Sequence, residues 1–153
     1  MKTSIALVLI IIIGMISCGK DKFQTKPQLK FKSRNTDIVP LNGDLRLNIE
    51  YTDKEGDVSD SIIIVRQRLN VHGPVQLPYD PYKIPDFPKT DKGEFEITLA
   101  YQLRLVTGLN PLRVTGSNPV RNEIDTLRMK IVARDKEGNK SDTLVVDNIY
   151  VTR

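Results

Sequence analysis

The chain has no tryptophan, one cysteine (Cys18) and one histidine (His72) among its 153 residues. One cysteine excludes an internal disulfide and any multi-cysteine zinc site. One histidine excludes a multi-histidine metal centre. It also leaves His72 as the only imidazole for a Ser–His–Asp or Cys–His arrangement. His72 lies in a stretch rich in proline and glycine, where a lone histidine reads as a solvent-exposed side chain. A block of like charge is missing too: 23 basic and 19 acidic residues are interspersed, for a formal net charge of +4. Nucleic-acid binders carry a concentrated basic face, so no nucleic-acid partner is expected. No stretch shows a sustained helical period, which argues against a helical domain.

A long apolar run occurs once. Lys2 is followed by Ile5 to Ile13, almost unbroken, and then by Gly14-Met15-Ile16-Ser17-Cys18. The run is shorter than the roughly 20 residues needed to cross a bilayer. Ser17, Gly19 and Lys20 end it abruptly, as in a cleaved export signal. The box Met15-Ile16-Ser17-Cys18 resembles the end of a bacterial lipoprotein signal peptide, with Met where Leu is usual. The resemblance implies cleavage before Cys18 and a covalent lipid on its thiol, the strongest nucleophile of the region. It divides the chain into a signal peptide (1–17), a lipidated cysteine with a flexible tether (18–28) and one domain (29–153). Two or three acyl chains would make the membrane a stable partner. Gly19, in place of a retaining Asp, implies the outer membrane. Lys20-Asp21-Lys22 resembles the charged export tag of surface lipoproteins in the Bacteroidota, so the domain would face the periplasm or the exterior.

Beyond the tether, apolar residues alternate with polar ones. Leu29 to Arg34 reads as a short edge strand and 35–44 as a turn-rich link. Leu45, Leu47, Ile49 and Tyr51 mark a half-buried strand, and Ile62-Ile63-Ile64-Val65 a central one. Residues 69–92, with five prolines, read as a long extended connection. The alternation from Phe95 to Leu105 marks a long strand, bent or broken near Ala100, and Thr107 to Asn122 a second loop. Leu127 to Ala133 and Thr143 to Val151 close the set, with a bulge at Asp147-Asn148. The pattern predicts an all-β fold, an immunoglobulin-like antiparallel β-sandwich of about six to eight strands.

Two segments match at an offset of 82 residues: Asp53-Lys54-Glu55-Gly56-Asp57-Val58-Ser59-Asp60 and Asp135-Lys136-Glu137-Gly138-Asn139-Lys140-Ser141-Asp142. Each is flanked by alternating strands and reads as one of two similar hairpins. Gly56 supplies a positive φ and the Asp side chains cap backbone amides. The pattern resembles turns of bacterial immunoglobulin-like, fibronectin type III-like and cadherin-like domains. It also resembles a group of uncharacterised Bacteroidota lipoproteins, which implies fold and address and no activity. Asp53, Glu55, Asp57 and Asp60 offer oxygen ligands for calcium, which takes about 6–8. The spacing is not that of an EF-hand, and turn chemistry alone explains these residues. The expectation is therefore no metal and no cofactor beyond the lipid on Cys18, with calcium on those four acids as the alternative.

The function expected is that of a membrane-anchored envelope lipoprotein, a non-enzymatic binding or scaffolding module. Tyr79, Tyr82 and Phe87 would contact an envelope protein or glycan, and Arg113 and Arg121 would meet anions. Alternatively, the aromatics pack their own loop onto the domain. The competing functions are an envelope-polymer hydrolase and an accessory subunit of an envelope complex. Hydrolysis of a polymer such as a glycan needs two placed carboxylates, and no pair stands out in the sequence.

Overall fold

The computed structural model describes residues 26–79 and 81–153. The proposed signal peptide, Cys18 and most of the tether lie outside the described residues. Among those residues, strand accounts for 49% and helix for 4%, so the domain is nearly all β. There are nine strands: β1 (Gln28–Arg34), β2 (Ile38–Val39), β3 (Asp44–Thr52), β4 (Ser61–Arg68), β5 (Val75–Pro78), β6 (Tyr82–Lys83), β7 (Lys92–Ala100), β8 (Asp125–Arg134) and β9 (Leu144–Val151). One sheet has the order β1-β3-β7. The other has the order β2-β9-β8-β4-β5, with β6 also pairing β4. All pairs are antiparallel except β2 with β9.

Alternation in the sequence becomes burial in the strands. β3 buries Leu45, Leu47, Ile49 and Tyr51, and β8 buries every second residue from Asp125 to Ala133. Leu45, Leu47, Ile49, Ile97 and Leu99 from the first sheet share one core with Ile62, Ile64, Leu127, Met129, Ile131, Val146, Ile149 and Val151 from the second. At roughly 1.5–3 kcal/mol per fully buried aliphatic side chain, this shared core is the main favourable term of the fold. β9 carries its bulge at Asp147-Asn148, where the register slips between Leu127 and Met129 and Asn148 takes φ +58°.

The structure corrects the expected organisation in four places. First, the repeated segments are not two hairpins. β8 and β9 do pair across the second turn, but β3 and β4 belong to different sheets. Both sides of β3 are taken by β1 and β7, so the first turn carries the chain from one sheet to the other. Second, 69–92 holds β5 and β6, which extend the second sheet beyond β4. Pro78 lies in β5, at an edge where a missing amide is tolerated. Third, the 35–44 link contains β2, which adds to the free side of β9.

The fourth concerns the strand beginning near Phe95, which stops at Ala100. Asp44, the first residue of β3, is the partner of Ala100, so nothing remains for the chain to pair with. It turns into one π-helical turn, Tyr101–Leu105, closed by the Val106 amide donating to the Tyr101 carbonyl. Tyr101 and Leu105 are buried while Leu103 is exposed, so the spacing that continued the strand alternation serves a helical face instead.

Candidate functional site

The repeated turns are built alike. In the first, Asp53 accepts the Asp57 amide at 2.9 Å and the Glu55 amide at 3.4 Å, and its carbonyl accepts the Gly56 amide at 3.1 Å. In the second, Asp135 accepts the Asn139 amide at 2.7 Å and its carbonyl accepts the Gly138 amide at 3.2 Å. Gly56 and Gly138 have φ +67° and +92°. A side chain at Gly56 would also press on the Thr90 backbone, whose nitrogen lies 2.9 Å from an ideal Cβ.

One position differs. Asn139 donates from its side chain to Asp135 Oδ2 at 2.9 Å, completing the turn. Asp57, its counterpart, has no proton to donate when ionised. Its Oδ1 is buried with no hydrogen-bond partner among the described residues.

The fold sets the two turns against each other. The Lys136 amide donates to the Asp57 carbonyl at 3.2 Å. Beneath them Tyr51, Val58 and Ala133 form a small apolar cluster with Leu29, Phe87 and Phe95. Tyr51 stacks on Phe95 at 4.5 Å between ring centroids and lies across Gly93, its direct partner on β7. This packing brings one carboxylate oxygen each from Glu55, Asp57 and Glu137 to within 4.8 Å of one another. Burial raises the pKa of Asp57, with Asp135, Asp53 and Glu137 adding to the rise. Burial likewise raises that of Glu55, followed by the charges of Glu137, Asp57 and Asp53.

Of the four acids singled out in the sequence, Glu55 and Asp57 therefore enter the cluster. Asp53 holds the turn with its carboxylate. Asp60 faces away, bonded to Arg134 at 2.6 Å and Ser61 at 2.7 Å, which hold its carboxyl below the usual carboxylate range. Glu137 was not singled out. Its signal was the repeat itself, because it stands where Glu55 stands in the other copy.

Tyr79, Tyr82 and Phe87 are half-buried and pack against the main core. The Arg104 guanidinium lies 4.7 Å from the Tyr82 ring centroid and 5.6 Å from that of Tyr79, and Arg66 lies 5.3 Å from Tyr79. Burial pushes the Tyr79 hydroxyl up to about 12. Arg113 and Arg121 are exposed. His72 is exposed as well, with Nδ1 3.5 Å from Glu123.

A buried arginine network escaped the sequence reading. Arg66 and Arg68 continue the inward parity of Ile62 and Ile64 on β4 and are 2% and 6% exposed. Arg66 donates to the carbonyls of Arg104 (2.8 Å) and Thr107. Arg68 donates to the carbonyls of Gly73 (2.6 Å) and Asn110 (2.8 Å). Asp125, fully buried, lies 3.4 Å from Arg68 and 2.9 Å from Arg153. The network fastens the π turn and the loop after it to the second sheet. A groove of about 310 Å³ runs between Tyr82–Pro85 and residues 94–98 of β7.

No protein-family model and no curated protein matches the chain. Among solved structures it is similar to Spo0M, a sporulation control protein from Bacillus subtilis. The identity is 11% and the TM-score 0.49, over 84% of this chain and 50% of that one. The chain thus spans about half the length of the structure it matches.

Proposed function

We propose that the chain is a lipoprotein of the cell envelope, anchored in the outer membrane through lipid on Cys18. Its domain is an immunoglobulin-like β-sandwich that serves as a binding or scaffolding module rather than as an enzyme. The observation that carries this reading is the place of the only cysteine, directly after Met15-Ile16-Ser17 and the one long apolar run. A thiol with no partner in the chain is accounted for by acylation and by no disulfide. Two sheets facing one apolar core support the sandwich. The first described residues lead directly into β1, an edge strand, so the anchored end enters the domain at the rim of a sheet.

The test is metabolic labelling with a clickable fatty acid, followed by membrane fractionation of the native protein and Cys18→Ser. The native protein should carry label and sediment with membranes. The variant should carry none and stay uncleaved or soluble. Label retained by Cys18→Ser would contradict the assignment.

A further inference from the structure

Glu55, Asp57 and Glu137 are brought together only because the two copies of the turn pack face to face, and they come from segments 82 residues apart. We propose that these three carboxylates form a calcium site closed across the paired turns. Three observations carry it. Two ligands of one ion can be no farther apart than twice the metal–oxygen distance. At calcium's roughly 2.4 Å that limit is about 4.8 Å, the spacing within which these oxygens lie.

Next, Asp57 is 8% exposed and its Oδ1 has no hydrogen-bond partner among the described residues, although it belongs to the clustered group. The same is true of Glu55 Oε2, also buried and unpartnered. Buried carboxylate oxygens without a donor are costly unless a cation satisfies them. Finally, no ion pair reaches Glu55, Asp57 or Glu137 among the described residues. The Lys136 ammonium, nearest in sequence to Glu137, is committed to Asp86 at 2.9 Å.

Asn139 is the internal control. At the matching position it closes its own turn with a donated hydrogen bond, and it sends no charge into the cluster. The turn itself thus has no need of an acid at position 57. Asp53 and Asp135 are occupied by backbone amides and serve as positioning residues for the turns, not as ligands. Glu137 is exposed, which leaves one side open to water for the remaining ligands. Three carboxylates and an open side fit an affinity on the order of 10⁻⁴ to 10⁻³ M.

The experiment measures thermal unfolding of the purified full chain in detergent at neutral pH, after chelator treatment, as calcium is added to about 10 mM. Native protein should show a saturable rise in Tm of about 5–10 °C, the shift expected when ligand stands some hundred-fold above its dissociation constant. Asp57→Asn and Glu137→Gln should each remove most of it. Glu137 is exposed, so Glu137→Gln keeps the test open if Asp57→Asn alters folding. No rise in the native protein would overturn the proposal. An equal rise in all three proteins would overturn it as well, because the ion would then act elsewhere.

Discussion

Asp57 and Asn139 occupy the same place in two copies of one turn, and their difference of one group changes what each turn does. Restoring the amide, Asp57→Asn, should let the side chain donate to Asp53 as Asn139 donates to Asp135. Without divalent cations at neutral pH the variant should be more stable than native by about 1 kcal/mol, the net worth of one hydrogen bond. The pH dependence has a defined sign. Asp57 and Glu55 have raised pKa values in the folded state, so the protonated forms are the stable ones there. Their stabilisation is complete below the unfolded carboxylate value of about 4 and is lost as pH rises through the raised folded values. The gain from Asp57→Asn should therefore be small near pH 4 and grow toward pH 7. Urea titrations of both proteins across that range measure it, and a gain independent of pH would contradict the assignment.

Gly93 gives a second prediction at this scale. A Cβ there would sit 2.5 Å from the Tyr51 hydroxyl and 2.7 Å from its ring. The ring cannot withdraw, because Tyr51 is 4% exposed and held by Phe87 and Phe95. Gly93→Ala should cost about 1–3 kcal/mol by overpacking, read by chemical denaturation. Gly56 was legible from sequence as a turn residue, since only its backbone freedom suits that position. Gly93 was not, because the need for it comes from an aromatic ring on the neighbouring strand.

At the scale of elements, period-two alternation located most long strands, since one face of each meets the core. What it could not supply was pairing. The two copies of Asp-Lys-Glu-Gly read as equal hairpins, yet only the second pair of strands shares a sheet. That choice depends on which strands already flank β3, a non-local fact. β5 and β6 were hidden by prolines and by their length of four and two residues. Phe95 to Leu105 alternates throughout, but its end lacks a partner and becomes a π turn.

Arg66 ties that turn to β4 through the carbonyls of Arg104 and Thr107. Arg66→Met keeps most of the apolar stem and removes both bonds. It should destabilise the domain by about 2–3 kcal/mol. Amide hydrogen exchange should also quicken over residues 101–110 more than in β8. Uniform acceleration across the domain would show that Arg66 supports the core at large and not this segment. Because β5 and β6 are paired with β4, a partner-binding test should not delete residues 71–91, which would remove two strands.

For the whole molecule, the address was written in the first 18 residues and the domain class in the alternation that follows. The carboxylate cluster was half legible: Glu55 and Asp57 stand out in the acidic turn, while Glu137 joins them only through packing of the two copies. The arginine network was illegible because charged residues on a strand ordinarily mark its solvent face, and only parity with Ile62 and Ile64 says otherwise. Tyr79, Tyr82 and Phe87 pack against the core, so a partner would meet their exposed edges and the rim around them.

The central claim is the anchor, and the mass of the N-terminal peptide tests it most directly. Protein extracted from membranes should yield an N-terminal peptide that begins at Cys18 and carries the added mass of a thioether-linked diacylglycerol. A peptide still containing residues 1–17, or one beginning at an unmodified Cys18, would contradict the account.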